Sequence, residues 1–250
     1  MMRSYAELGM SMRQAGRKQE KRKYRFEQKY LISAAQCELL RSAATPLLLP
    51  DEHATDGFYE IRSLYFDDME NTCYGKNEAG VDERAKYRIR IYNASDAHIR
   101  LEKKIKQGGK TRKLFAPLTR EQCEIFLRGE NLSLAQEDME KYPPLLARFC
   151  MLMQMRQLRP KVIVCYDRIP YVYKHGNVRV TFDLHIAASR DFDHFFDHQL
   201  CKIPIMPKGQ QLMEIKYDEF LPRFIKSSLQ IGSLRQTTFS KYYLCRKALL

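Results

Sequence analysis

The chain has 250 residues, 44% of them hydrophobic, enough for one large domain or two small ones with a real core. Its 43 Lys and Arg against 30 Asp and Glu leave a net charge of +13, which points to an anionic partner: nucleic acid, a membrane surface or a polyphosphorylated ligand. Seven cysteines with no C-x-x-C spacing argue against a disulfide framework or a zinc site, and no apolar run approaches the roughly 18–20 residues that cross a bilayer.

Residues 1–22 are rich in Met, Gln, Arg and Lys with no sustained period, and read as a basic flexible tail; Met10 or Met12 is an alternative start. The start also lacks the uninterrupted apolar core of a signal peptide. From Tyr24 a strand pattern begins, with Arg25, Glu27 and Lys29 on one face and Tyr24, Phe26, Tyr30 and Ile32 on the other. Ser33 and Gln36 form a capping box that opens a short helix ending at Thr45-Pro46. Residues 58–67 are aromatic and β-branched and predict a strand, and 68–83 predict a connection with one helical turn.

Residues 84–92 and 98–106 carry the plainest pattern. Lys86, Arg88, Arg90 and Tyr92 alternate with Tyr87, Ile89 and Ile91, and after a turn at 93–96 the residues His98, Arg100, Glu102, Lys104 and Lys106 alternate with Ile99, Leu101 and Ile105. The hairpin therefore has an apolar face and a cationic face. Residues 107–112 form the tip of a second hairpin; Gly108-Gly-Lys-Thr111 lacks the first glycine and the following helix of a phosphate-binding loop. Thr119 caps a helix that Gly129 stops, and Pro143-Pro144 starts a Met-rich apolar helix over 145–158 that covers one side of the sheet. Strands follow at 161–168, 177–186 and 211–217, and 218–250 read as helix.

Two architectures fit amphipathic strands of this kind. An open sheet buries its apolar face against helices and wets the other; a closed antiparallel barrel of about eight strands points its polar residues inward and wears the helices outside. Closure explains more, because cations from nearly every strand then converge on one lumen that a polyanion or metal ion neutralises. The expected fold is thus an α+β tunnel with a polar, basic lumen and a helical jacket.

Phe26-Glu-Gln-Lys-Tyr30, Ser63-Leu-Tyr-Phe-Asp67, Arg88-Ile-Arg90, Leu101-Glu-Lys-Lys104, Cys165-Tyr-Asp-Arg168, Val178-Arg-Val-Thr-Phe-Asp183, Leu212-Met-Glu-Ile-Lys216 and Ser240-Lys241 occur in the order and context of the VTC domain. The chain resembles this polyphosphate polymerase module of the triphosphate tunnel metalloenzymes from about residue 24 to 245, within a domain spanning 23–250. The resemblance implies transfer of the γ-phosphate of ATP onto a polyphosphate chain with Mn²⁺ or Mg²⁺. It implies phosphate-binding catalytic roles for Arg88, Arg90, Lys104, Arg168, Arg179 and Lys241, substrate contacts from Lys29, Lys76, Tyr166, Lys216 and Ser240, and a metal-binding carboxylate at Glu214. Glu27 and Asp183 either assist the metal or balance neighbouring cations.

Two departures refine the expectation. The triphosphatase and cyclase branch begins with E-x-E-x-K, whereas Arg25-Phe-Glu27-Gln-Lys29 lacks the first glutamate, which favours the polymerase. The eukaryotic complexes add a sensor domain and transmembrane helices, so the chain looks like a stand-alone, cytoplasmic domain of bacterial type, with a membrane-protein partner expected by analogy. A polyphosphate acceptor brings its own ionised oxygen, so alignment and electrostatics suffice without a general base. The alternatives are an inorganic triphosphatase and a non-catalytic polyphosphate or nucleic-acid binding module; nucleic acid is not the expected ligand, because most aromatics fall on the apolar face.

Overall fold

The computed structural model describes residues 24–54, 56–132 and 140–250; the tail expected at 1–22 lies outside them. In chain order the elements are β1 (Phe26–Ser33), α1 (Ala34–Ala44), β2 (Leu49–Pro50), β3 (Tyr59–Asp67), α2 (Thr72–Glu78), β4 (Arg84–Tyr92), β5 (Ser95–Gln107) and β6 (Lys110–Leu118). They continue with α3 (Arg120–Leu127), α4 (Pro144–Met155), β7 (Arg159–Tyr173), β8 (Val178–Ser189), β9 (Ile203–Pro204), β10 (Gln210–Tyr217), α5 (Arg223–Ser228) and α6 (Lys241–Lys247).

Local chemistry sets the boundaries. Ser33 and Thr119 each accept the N3 backbone N–H while Gln36 and Gln122 reach back to the cap, so α1 and α3 start on complete capping boxes. Asn93 and Ala94 take φ of 50° and 54°, the left-handed pair that a two-residue hairpin turn requires between β4 and β5.

All ladders are antiparallel, in the order β1-β10-β8-β7-β3-β4-β5-β6, with β2 on β7 and β9 on β8. Register shifts at Tyr65/Phe66, Arg90/Tyr92 and Cys165/Asp167 mark irregularities that increase twist and help curl the sheet. The outer strands β1 and β6 approach each other but share one bridge, between Arg25 and Thr111, with N–H···O distances of 2.9 and 3.0 Å. The expected closed barrel is thereby corrected to a curled, open sheet. Past that bridge the gap is spanned by side chains, Glu27 accepting from Lys104 and from the Thr111 hydroxyl, and a backbone ladder does not form there.

The apolar faces point outward under the helices. One cluster joins Ile89, Ile91 and Leu101 to Phe126 and Phe149 of α3 and α4, with Phe149 edge-on to Phe66 and Phe126 at 5.0 and 5.2 Å. A second packs α1 and α5 on β1, β8 and β10, and a third sets α6 beside β3, β7 and β8. The polar face is left inside the curl.

The helix expected over 218–250 is two short helices, α5 and α6, and a single 3-10 turn at Ile231–Ser233. Between them the chain lies along β1: Gln236 bridges Tyr30, Thr237 N–H donates to Lys29 O, and Lys29 Nζ donates to Phe239 O at 2.6 Å. Bonding to the strand replaces bonding within a helix, and brings residues 236–239 to the inner face.

Arg62 is 1% exposed and ties β3 to the loop before β9, donating to the carbonyls of Phe195 and Asp197 at 2.9 and 2.5 Å and to Glu60 at 3.1 Å. Arg62→Ala leaves these acceptors without their shared donor and is expected to cost about 3 kcal/mol, read as a lower urea midpoint with an unchanged slope.

Candidate active site

The polar inner face encloses two adjoining chambers, of about 590 and 460 Å³. Arg90, Thr111, Lys113, Arg168 and Lys216 line both, so the two chambers meet at these residues. Eleven Lys and Arg side chains line the larger chamber against three Glu, and carboxylates behind the lining, Glu102, Asp183 and Asp82, pair with only some of them, which leaves a positive excess that favours an anion.

Strand register pairs these charges. Lys29 lies opposite Glu214, Glu27 opposite Lys216, Arg88 opposite Glu102 and Arg168 opposite Asp183, which places opposite charges side by side on the inner face. Arg168 grips Asp183 with two bonds of 2.7 Å, and Lys241 Nζ reaches the same carboxylate at 2.5 Å. Arg88 holds Glu102 at 2.8 and 2.5 Å while donating to Tyr65 Oη at 2.7 Å. Burial alone would raise the carboxyl of Glu102, but Arg88 and Arg90 hold it far below the usual range.

Glu214 is the hub. It accepts from Lys216 and Lys241, the latter at 2.8 Å, and faces Arg168 at 3.4 Å and Lys29 at 3.7 Å. Burial disfavours its charge, but these cations outweigh burial and keep it ionised well below the ordinary carboxylate range. Glu27 behaves in the same way, opposed by burial and held down by Lys104 at 2.9 Å and Lys29 at 3.3 Å.

Among the described residues, several lining cations have no ion pair with a carboxylate, Arg90, Lys86 and Lys113 in the middle of the chamber and Arg84, which bonds to the Val81 carbonyl. Arg90 donates only to Ser63 Oγ at 3.1 Å and Tyr166 Oη at 3.3 Å. Lys86 donates to Ser240 Oγ at 2.9 Å and lies 5.0 Å from the Tyr242 ring; burial lowers it to about 7. Burial also drives Lys113 well down, more than the attraction of Glu102 restores. An arginine cannot lose its proton, so Arg90 stays charged and available to an anion.

Of the residues expected at the site, Lys29, Arg88, Arg90, Lys104, Tyr166, Arg168, Glu214, Lys216, Ser240 and Lys241 all line the larger chamber. Arg179 is apart from them, in the smaller chamber, bonded to Asp51 and Tyr59 Oη at 2.6 Å each. Lys76 does not reach the chamber: it is exposed on α2, while its neighbours Asn77, Glu78 and Gly80 line the rim. Lys86 and Lys113 also line the larger chamber; the polar-face alternation over 84–92 includes Lys86, but both residues lie outside the Arg88–Lys104 stretch that carries the motifs, and nothing in the sequence singles out Lys113.

No three His, Cys, Asp or Glu residues converge on a metal site among the described residues. The donor set, Glu214 with Glu27 nearby across Lys29, suits a divalent ion that takes most of its ligands from phosphate and water.

A family model for the VTC domain matches residues 24–250. No curated protein matches the chain. Among solved structures, HpAC1 from Hippeastrum, reported with a dominant triphosphatase activity, is similar over 91% of this chain and 96% of its own, at 14% identity and a TM-score of 0.48. The PH1819 protein from Pyrococcus horikoshii is similar over 90% and 99%, at 11% identity and a TM-score of 0.45. The Mimivirus capping enzyme triphosphatase is similar over 92% and 96%, at 10% identity and a TM-score of 0.37.

A lysine lowered to about 7 is mostly neutral at pH 8.5 and regains its proton when an anion binds beside it. Binding of inorganic tripolyphosphate at pH 8.5 is therefore expected to take up about one proton more in the native protein than in Lys86→Met. The difference vanishes at pH 6, where the amine is already charged. Calorimetry in buffers of different ionisation enthalpy measures both.

Proposed function

The chain belongs to the VTC domain family, and we propose that it is an ATP-dependent polyphosphate polymerase that transfers the γ-phosphate of a nucleoside triphosphate to a polyphosphate chain. The observation that carries this reading is the pair of adjoining chambers whose cations outnumber their carboxylates and include Arg90 and Lys86, which bond to hydroxyls and not to acids. A linear polyanion fits such chambers by charge and by shape, and in this reading the curled sheet works as a tunnel with the chain running through both chambers.

In-line phosphoryl transfer asks for alignment and for stabilisation of charge on the equatorial oxygens. Arg90 and Lys86 are free to bind phosphate oxygens. Arg88 and Arg168 are oriented by Glu102 and Asp183, so each guanidinium is fixed before substrate arrives. Lys241 and Ser240 bind from the opposite side of the chamber, on α6. The acceptor is a phosphate oxygen already ionised, so no group needs to remove a proton from it. Glu214, with Glu27 across Lys29 from it, would hold Mn²⁺ or Mg²⁺, which would supply further neutralisation of phosphate charge.

One observation favours an inorganic triphosphatase instead. Glu27 and Glu214 both approach Lys29, and two carboxylates close together are what a metal-activated water needs. No helix among the described residues is long and apolar enough to cross a membrane. By analogy with the family's complexes, and not from that absence, the polymerase reading includes a cytoplasmic site of synthesis and a membrane-protein partner that receives the product.

Incubation of the purified protein with ATP and Mn²⁺ or Mg²⁺, following ADP and chain length on gels, is expected to give long polyphosphate with one ADP per unit added. Glu214→Gln and Arg90→Ala are each expected to lower the rate about 100-fold or more. Free phosphate without chains would establish the triphosphatase, and tight polyphosphate binding without turnover would make the chain a binding module.

A further inference from the structure

The smaller chamber sets Arg25, Arg100 and Arg179 beside Tyr59, Tyr92 and Phe115, and the larger one adds to its cations a row of neutral hydrogen-bonding groups, Asn77, Gln236, Thr237 and Thr238, with the ring of Tyr243. A pure polyphosphate chain has no use for a neutral, aromatic rim. A nucleoside triphosphate does, because its base is a flat uncharged surface attached to a charged tail.

Tyr243 is built as a platform. Its ring is stacked on Tyr74 with centroids 5.1 Å apart and planes at 26°, and its hydroxyl donates to Glu78 at 3.1 Å. The backbone under Tyr74 is fixed by a buried carboxylate, Asp67, which accepts the Tyr74 N–H at 2.9 Å. Lys247 Nζ adds a cation 5.9 Å from the ring centroid. Three groups, Tyr74, Glu78 and Lys247, hold this ring in place.

Phosphate and platform are also linked in register. Ser240, which receives Lys86 in the chamber, accepts the Tyr243 N–H at 3.2 Å, so the first turn of α6 carries the phosphate-facing Ser240 and Lys241 and the rim-facing Tyr243. We propose that Tyr243, backed by Tyr74, is the nucleobase subsite of the larger chamber, so that a nucleoside triphosphate enters base-outward at this rim. This rests on the polymerase reading and adds to it the choice of a nucleotide over inorganic tripolyphosphate.

Binding is measured by calorimetry in EDTA, which prevents turnover, with ATP and with inorganic tripolyphosphate as the two probes. Tyr243→Ala is expected to weaken ATP about 10-fold and tripolyphosphate less than about 2-fold, since a stacked base contributes at this level. Tyr243→Phe keeps the ring and retains ATP affinity within about 3-fold. Tyr74→Ala, outside the chamber, gives a smaller loss confined to ATP and serves if Tyr243→Ala does not fold. Equal loss of both probes, or unchanged ATP binding, overturns the subsite. Native protein that binds tripolyphosphate as tightly as ATP overturns it too while leaving the phosphate passage standing, and native protein that binds neither removes the polymerase reading along with it.

Discussion

Burying more positive than negative charge inside a curled sheet is the constraint from which the rest of the molecule follows. An isolated charge taken out of water costs several kcal/mol, so each inner carboxylate is shared among cations, Glu214 facing four of them and Asp183 two. These shared acids offset part of that cost and do not neutralise the inner face. The residual charge is handled in two ways: burial lowers the proton affinity of Lys86 and Lys113, while Arg90 cannot lose its proton and relies on hydroxyls.

The same constraint orders the outside. Because the polar face turns inward, the apolar face of nearly every strand must be covered from without, and three helical groups do so with separate clusters around Phe149, Phe182 and Tyr242. This inverts the usual arrangement, in which a sheet hides its apolar face in the middle. It also explains why the helices can be short: each has only a section of sheet to cover, and sequence propensity alone would not hold a helix of seven residues such as α6.

Much of this was legible in the sequence, for a physical reason. Strict two-residue alternation over 84–92 and 98–106 reports a sheet with one charged face, and the capping boxes at Ser33 and Thr119 report where helices start. What alternation cannot report is how far the sheet curls, since that depends on irregularities between strands and on where the outer strands end. The segment at 234–239 was misread as helix because its hydrogen bonds go to β1, a partner some 200 residues away in sequence. Lys76 was misplaced for a related reason: a short helical turn puts Asn77 and Glu78 toward the chamber and turns their neighbour outward. Side-chain direction in a connection has no period to read.

The single bridge between Arg25 and Thr111 has a consequence beyond the passage. A sheet that ends in two free strands offers unpaired backbone groups to any other extended chain, and proteins commonly blunt such edges with charge or cover them. Here β1 and β6 shield one another, with Lys110 set 4.7 Å over the Phe26 ring and Glu27 crossing to Lys104 and Thr111. With Gln236 and Thr237 also lying along β1, the protein's own chain covers the edges at this seam that would otherwise be open to strand pairing.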